Sequence, residues 1–319
     1  MKNPMKSEEI IRGRFAPSPS GTLHLGNLLS SLLVWLDVRS RDGIMLFRLE
    51  DLDPDRSFDH YANQMAQDLE WLGLDWDEGW RPESDSYRQG RRTHRYELAL
   101  EQLKQNDLVY DCYCSRAERL AASAPHPGEQ HDTGCGCRFL TAEDIVEKRR
   151  IGRKPAVKFA VIPQTIRWID GHYGLQEDTL VTGRDDFIIR RSDGVFAYQL
   201  AVSVDDMEMG VTSVVRAQDL MSSTARQIQL IQTLGGTAPT YCHAPLLVAG
   251  DGRKLSKRDG DLNMDYFRTQ YQPEQLIGIL AKLAGLQETA QPISARELIS
   301  VFSWDLVPKA PIVIPDELI

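Results

Sequence analysis

The first part of the chain alternates segments that favour strands with segments that favour helices, and this alternation limits the fold more than any other feature. A short strand is expected from Arg12 to Ala16, followed by an apolar-rich helix from about His24 to Arg39. Ile44 to Glu50 is a second apolar strand, and Ser57 to Leu72 has apolar residues at helical spacing. The order strand–helix–strand–helix predicts a parallel sheet covered by helices.

The middle of the chain interrupts this alternation, and the second half restores it. From Cys112 to about Arg184 the pattern is less regular, with strands expected at KFAVI and TIRWI. FIIRR, a helix at about Ser223 to Leu234 and an apolar strand at PLLVA then resume the alternation. We therefore predict an α/β fold, a Rossmann-type parallel-sheet nucleotide-binding domain that an insertion divides. The predicted parts are the first catalytic half at 1–110, the insertion at 111–184, the second catalytic half at 185–260 and a C-terminal helical subdomain at 261–319, with helices at Met264–Tyr271, Pro273–Leu283 and Ser294–Phe302.

Four of the five cysteines lie in one window of the predicted insertion, at Cys112, Cys114, Cys135 and Cys137. We expect a reducing compartment, where clustered cysteines are metal ligands more often than disulfides. Thiolates on two short loops can close a tetrahedral zinc site, and four protein ligands leave no open position for a substrate. The sequence therefore predicts one structural zinc ion. Buried thiols without a metal are the alternative, and His131 could replace one of the four.

Charge and hydropathy limit the partners and the location. The chain has 37 Lys+Arg against 46 Asp+Glu, a formal net charge of −9. Phosphate affinity comes from Lys and Arg, so this balance argues against a general polyanion binder, although a local basic face remains compatible with it. The longest apolar stretch, Leu28 to Leu36, is too short to span a bilayer. The first residues, MKNPMKSEEII, lack the apolar core of a secretory signal, so we expect a cytoplasmic protein with no membrane partner.

The stretch from Pro17 to Asn27, PSPSGTLHLGN, has the composition of an anion-binding turn. It follows a predicted strand and ends where a helix opens. A helix N-terminus offers free amides and the positive end of a dipole, both of which suit phosphates. His24 could donate to a phosphate, and Gly26 would let an adenine or ribose approach the backbone. A plain turn with a surface histidine is the alternative.

A second loop, GDGRKLSKRDGD, carries three cations after the apolar strand PLLVA. Lys254, Lys257 and Arg258 could close over a polyphosphate and neutralise the charge that develops on a leaving pyrophosphate. Taken alone, the loop would be a solvated basic turn.

Together these two loops carry a resemblance to class I aminoacyl-tRNA synthetases. HLGN (His24 to Asn27) resembles the HIGH signature of that family, and KLSKR (Lys254 to Arg258) resembles its KMSKS signature. Further stretches resemble the glutamyl branch in the right order: RFAPSPSG, LFRLEDLD, LEWLGLDWDEG, YQLAVSVDD, VVRAQDLMSSTARQ and LLVAGDGRKLSKRDG. The match runs from Arg12 to beyond Asp261, and such an ordered set is far more specific than either motif.

The resemblance implies a two-step reaction, in which glutamate attacks the α-phosphorus of ATP and the glutamyl group then passes to an RNA. It implies catalytic roles for His24, Lys254 and Lys257. The implied ATP-binding residues are His24, Gly26, Asn27, Lys254 and Lys257, with Mg²⁺ carried by the ATP phosphates. The implied glutamate-binding residues are Arg14, Phe15, Ala16, Pro17, Ser18, Glu50, Tyr198 and Arg216. The chemistry of the arginines and of Glu50 agrees with binding of glutamate. Arginine recognises carboxylates, and Glu50 can accept from an α-ammonium group.

The segment after the KLSKR loop also resembles one particular branch. Asp259 to Ile319 is enough for a small helical bundle, so we expect no anticodon-binding domain. In this the chain is similar to the truncated paralogue of the glutamyl synthetases that activates glutamate without tRNA. That paralogue places glutamate on queuosine, a modified base in the tRNA(Asp) anticodon, and no obligatory protein partner is evident. Thr133 stands where that branch often has a tyrosine zinc ligand, which leaves the third ligand open between Cys135 and His131.

Two alternatives stay open. A glutamyl-tRNA synthetase core could charge tRNA 3′ ends, and a catalytically silent module of this type could bind RNA or regulate a partner. Basic clusters at Arg88–Arg95 and Lys148–Lys154 are candidates for tRNA contact, although a solvated surface is the favoured interpretation of each cluster taken alone.

Overall fold

A parallel sheet covered by helices opens the fold, as predicted. The computed structural model describes residues 10–115, 135–250 and 262–315. Three strands pair in parallel in the order β1–β2–β3, with bounds Arg12–Phe15, Ile44–Phe47 and Glu78–Gly79. Two helices connect them, α1 (Leu25–Arg39) and α2 (Asp59–Trp71). The second strand is shorter than expected because the chain after Phe47 leaves the ladder, and the Glu50 N–H instead donates to Pro17 O at 2.9 Å.

A second, mixed sheet of four strands lies beside the first, with β6 and β7 antiparallel. Its order is β7–β6–β10–β9, with β10 parallel to both β6 and β9. Thr212 N–H donates to Arg12 O at 2.9 Å, which sets the start of β9 beside β1. The bounds are β6 Gln164–Asp170, β7 Gly174–Leu180, β9 Ser213–Ala217 and β10 Thr240–Ala244, and the helices between these strands are α5 (Tyr198–Glu208) and α6 (Thr224–Thr233).

The apolar strand expected at PLLVA is not the one that enters this sheet. The sheet strand is the preceding TYCHA segment, which Pro245 ends because proline lacks a ladder N–H. Within PLLVA, β11 (Leu247–Val248) pairs instead with β12 (Ile312–Val313). The sequence pattern did not predict the TYCHA strand, because its histidine breaks the apolar run that marks a buried strand. In the structure that histidine is fully buried.

A small antiparallel sheet lies between the two halves, in the order β4–β5–β8. The strand β6 also falls inside the predicted insertion, yet its last residue pairs with β10 of the parallel sheet. The four-part division of the chain therefore stays a prediction. The bounds here are β4 Val109–Cys112, β5 Ala156–Phe159, β8 Phe187–Arg190, α3 Thr93–Gln105 and α4 Ala142–Arg150.

The C-terminal region is helical, as expected, and covers the outer face of α1. Leucines along α1 are buried on nearly every side, as befits a helix between two layers, and they share one core with Leu276, Leu280 and Leu298. The helices are α7 (Met264–Gln270), α8 (Pro273–Leu283) and α9 (Ala295–Leu298), the last much shorter than predicted. Short 3-10 turns occupy Pro54–Arg56, Gln89–Arg91, Gly136–Phe139 and Gln218–Ser223. Across the described residues, the helices are too short or too polar to cross a membrane.

Candidate active site

A cleft of about 480 Å³ opens at the carboxyl ends of β1 and β9, where the two groups of strands meet. In open α/β sheets this crevice is the usual place for a ligand. Every residue that the resemblance assigned to glutamate lines it, as do two of the ATP candidates. These residues are Arg14, Phe15, Ala16, Pro17, Ser18, His24, Asn27, Glu50, Tyr198 and Arg216. Their convergence agrees with the sequence analysis, while their binding roles stay predictions.

His24 caps the N-terminus of α1. Its Nδ1 accepts from the backbone N–H groups of Gly26 at 3.1 Å and Asn27 at 3.3 Å, and the Asn27 side chain accepts in return from the His24 N–H. In a neutral ring the proton therefore lies on Nε2, the nitrogen able to donate to a phosphate. A Cβ at Gly26 would lie 3.1 Å from the His24 ring, so the glycine makes room for that ring. Gly26 is not among the residues that line the cleft.

The HLGN segment also holds the chain that follows the KLSKR loop. Leu25 N–H donates to Leu262 O at 3.0 Å, and Met264 N–H donates to Leu23 O at 3.0 Å. The predicted catalytic cations Lys254 and Lys257, together with Arg258, lie outside the described residues. The two hydrogen bonds fix Leu262 and Met264, which follow that loop in the sequence, beside the N-terminus of α1.

Charged side chains beneath the cleft hold two of the residues that line it, Arg14 and Glu50. Arg48 is fully buried and donates from Nη1 to Asp206 Oδ1 at 2.7 Å and from Nη2 to Glu50 Oε1 at 3.1 Å. Arg14 donates from Nε to the same Asp206 oxygen at 3.1 Å. Burial raises the pKa of Glu50, although the neighbouring Arg48 and Arg14 oppose that effect. Desolvation and the nearby Glu50 also raise the pKa of Tyr198, the half-buried first residue of α5.

Arg216 occupies a different electrostatic environment. Its Nε donates to His243 Nε2 at 3.1 Å, its Nη1 to Gln227 Oε1 at 2.5 Å and its Nη2 to Thr224 Oγ1 at 2.9 Å. All three acceptors are uncharged. In the part of the chain that the structure describes, the ion pairs include none with Arg216. The guanidinium also lies over the Tyr241 ring, 5.0 Å from its centre. Arg216 is therefore a buried cation at the edge of the cleft whose contacts are with neutral groups.

Sequence reasoning missed the residues that support these side chains. Arg48 lies two positions before Glu50 on an extended segment, a spacing that places both side chains on one face and could have drawn attention to it. Asp206 lies within the quoted YQLAVSVDD stretch. Asp170 and His243 gave no such signal, because their partners lie far away in sequence.

The four predicted cysteines come together. Their Sγ atoms all lie within 4.8 Å of one another, with Cys112–Cys135 and Cys114–Cys135 at 3.4 Å and Cys114–Cys137 at 3.5 Å. A tetrahedron of thiolates around zinc, with bonds of about 2.3 Å, has edges of about 3.8 Å. The donor set and its spacing therefore fit one zinc ion. His131 and Thr133 lie outside the described residues.

The first basic cluster is mostly occupied by internal ion pairs. Arg88 pairs with Asp51 at 2.8 Å and with Asp59 at 2.6 Å, and Arg92 pairs with the buried Asp205 at 2.6 Å. These two arginines therefore stabilise the fold around the cleft. Their ion pairs agree with the interpretation that this cluster, taken alone, is not a tRNA contact.

Comparison with known proteins identifies the relatives of this chain. The family model for the class I tRNA synthetases (E and Q), catalytic domain, matches residues 10–318. A Glutamyl-Q tRNA(Asp) synthetase of Nitratidesulfovibrio vulgaris is 43% identical, over 97% of both chains. A glutamate–tRNA ligase of Heliobacterium modesticaldum is 38% identical over 96% of this chain and 63% of its own length. The glutamate–tRNA synthetase structure from Elizabethkingia anophelis has a TM-score of 0.80 at 25% identity, over 97% of this chain and 69% of that one.

Proposed function

Because the chain belongs to the class I tRNA synthetases of the E and Q type, we propose that it activates L-glutamate with ATP and transfers it to queuosine in the tRNA(Asp) anticodon. Family membership makes the protein a ligase-type enzyme. The proposal adds the identity of the amino acid, activation without tRNA, and the acceptor.

The observation that carries the proposal is the charge arrangement of the cleft. Glutamate brings two carboxylates and one ammonium group, and the described residues of the cleft offer a guanidinium without an acid partner and a buried carboxylate. Arg216 would bind one carboxylate through the N–H groups that its protein partners leave unused. Glu50, held by Arg48 at 3.1 Å, would accept from the α-ammonium group, and Arg14 to Ser18 would complete the pocket.

Activation needs the glutamate carboxylate to meet the α-phosphorus of ATP. The N-terminus of α1 lies at the same cleft, and its first amides already donate to His24 and Leu262. The positive end of the helix dipole would therefore attract phosphate oxygens, and the Nε2–H of His24 would donate to one of them. Lys254 and Lys257 would neutralise the departing pyrophosphate, as the resemblance implies. Mg²⁺ would accompany the ATP phosphates and help to neutralise their charge. The protein thus contributes position and electrostatic stabilisation, and the bond changes occur between the substrates.

The acceptor half of the proposal is supported by how the relatives match. The Glutamyl-Q tRNA(Asp) synthetase of Nitratidesulfovibrio vulgaris is 43% identical to this chain, whereas the Heliobacterium ligase is 38% identical. The more similar of these two relatives is thus named for tRNA(Asp). We propose that the four clustered cysteines bind one structural zinc ion that holds the Cys112 and Cys135 loops together.

Two assays test the function. ATP–pyrophosphate exchange is measured with glutamate and without RNA, and we expect exchange. Labelled glutamate is then offered to tRNA(Asp) with queuosine, to tRNA(Asp) without it, and to tRNA(Glu). We expect label only on the first. Stable label on tRNA(Glu) alone would favour the glutamyl-tRNA synthetase core, and absence of exchange would favour the silent module.

A further inference from the structure

We propose that Asp170 and His243 act as positioning residues that hold Arg216 with its charge available to the substrate carboxylate. The inference rests on the proposed function, because it assumes that Arg216 binds glutamate. Hydrogen bonds link Asp170, His243 and Arg216 in a series. The series connects the second half of the predicted insertion to the cleft.

Three neighbouring strands place these residues side by side. Arg216 on β9 and His243 on β10 are directly opposed in the parallel register, and Asp170 ends β6 on the other side of β10. His243 Nδ1 lies 2.5 Å from Asp170 Oδ2, and Arg216 Nε lies 3.1 Å from His243 Nε2. The exposed fractions are 1% for Asp170, 0% for His243 and 6% for Arg216, so water does not compete for these bonds.

The hydrogen bonds define the protonation of the His243 ring. The Nε–H of Arg216 can only donate, so His243 Nε2 must present a lone pair. Asp170 Oδ2 can only accept, so the ring proton lies on Nδ1. Burial also lowers the pKa of His243, even though the bond to Asp170 opposes this, and the ring is therefore neutral. Asp170 itself is held by backbone N–H groups, from Tyr173 at 2.9 Å and His172 at 3.0 Å to Oδ1.

This arrangement orients a guanidinium without neutralising it. Arg14, in contrast, is oriented by the carboxylate of Asp206, which compensates its charge. Arg216 receives a neutral imidazole where a carboxylate in direct contact would have formed an ion pair. The Gln227 amide is fixed in the same way, because its Nε2 donates to Gln199 Oε1 at 2.8 Å and so turns its own Oε1 toward Arg216. Within the residues that the structure describes, three of the five guanidinium N–H groups have protein acceptors, and the other two are available to a ligand.

The variant Asp170→Asn tests this inference with almost no change in shape. The oxygen of the introduced amide would still accept from the backbone of His172 and Tyr173, so the amide nitrogen would face the imidazole. The imidazole proton would then move to Nε2 and oppose the Arg216 Nε–H, donor against donor. We expect the KM for glutamate in ATP–pyrophosphate exchange to rise about tenfold to a hundredfold, and the KM for ATP to stay within about twofold.

Two controls separate positioning from general damage. Asp37 is another buried acid, bonded to Ser213, Trp304 and Arg41, and it does not line the cleft. Asp37→Asn should lower the melting temperature and leave the KM for glutamate unchanged. In an Arg216→Lys background, Asp170→Asn should add little further loss, because its effect passes through Arg216. Additive losses, or an unchanged KM in a folded Asp170→Asn variant, would overturn the inference.

A measurement on the unaltered protein keeps the inference testable if the variants fold poorly. Nitrogen-15 NMR of the imidazole groups, with His243→Gln to assign the signal, reads the tautomer directly. We expect the Nδ1–H form of His243, and an Nε2–H form or a charged ring would overturn the inference. If the wild-type protein shows no glutamate-dependent exchange, the proposed function fails, while the NMR result still decides the state of the ring.

Discussion

Replacing Arg48 by methionine would remove a cation that lies beneath the cleft, and the structure allows the effect to be worked out. The side chain is fully buried and binds Asp206 at 2.7 Å and Glu50 at 3.1 Å. Asp206 would keep Arg14 as a partner, but Glu50 would lose the hydrogen bond that Arg48 supplies. Breaking a buried pair in this way typically costs about 3–5 kcal/mol. At about 2–4 °C per kcal/mol, the melting temperature should fall by roughly 6–20 °C.

The matched control is Arg167→Met. Arg167 also pairs with an acid, Glu177, but the two side chains are 68% and 52% exposed. Solvent screens such a pair, so its loss should change the stability little. Thermal unfolding of wild type and both variants, followed by circular dichroism at one protein concentration, measures the difference. Equal losses in the two variants would refute the argument from burial.

The Arg48 variant should also change the pH dependence of glutamate use. The positive charge of Arg48 lowers the pKa of Glu50 against the effect of burial, so its removal raises that pKa further. More of Glu50 is then protonated at a given pH, and a protonated carboxyl accepts poorly from an ammonium group. The KM for glutamate should therefore rise more at pH 6 than at pH 8. A KM ratio of variant to wild type that is the same at both values would contradict the role of Glu50.

Two further predictions concern other parts of the molecule. Burial raises the pKa of Asp68 to about 6 despite its bond to Arg268 at 2.9 Å, whereas an unfolded aspartate titrates near about 3.9. The folded state thus binds the Asp68 proton more tightly, so this contribution to stability is present below about pH 4 and is lost as the pH rises to about 6. Asp68→Asn should reduce the fall in unfolding free energy between pH 4 and pH 6, as measured by urea unfolding at pH 4, 5 and 6. An equal fall in variant and wild type would contradict this prediction. Cys135→Ser should lower the bound zinc, measured by metal analysis, and lower stability only in zinc-loaded protein, whereas full zinc content in the variant would exclude Cys135 as a ligand.

The sequence alone determined the fold class and which segments meet at the cleft. Apolar periodicity depends only on neighbouring residues, so the strand–helix alternation from Arg12 to Leu72 was predicted correctly, with errors mainly at the element ends. The carboxyl ends of parallel strands share one edge of a sheet, which is why the stretches around Arg14, Glu50 and Arg216 converge. The cysteine window likewise predicted the observed cluster, because two short loops suffice to bring the four thiols together.

Only the tertiary structure decided which charges in the cleft are compensated. Asp206 binds Arg48 across 158 positions of sequence, and Asp170 binds His243 across 73. No local pattern predicts such pairs, and the TYCHA strand was missed because its histidine is polar although it is fully buried. Burial of a polar group is stable only when a distant partner completes its hydrogen bonds. The packing of β6, β10 and β9 provides those partners, and among the described residues it gives Arg216 three neutral acceptors and no ion pair.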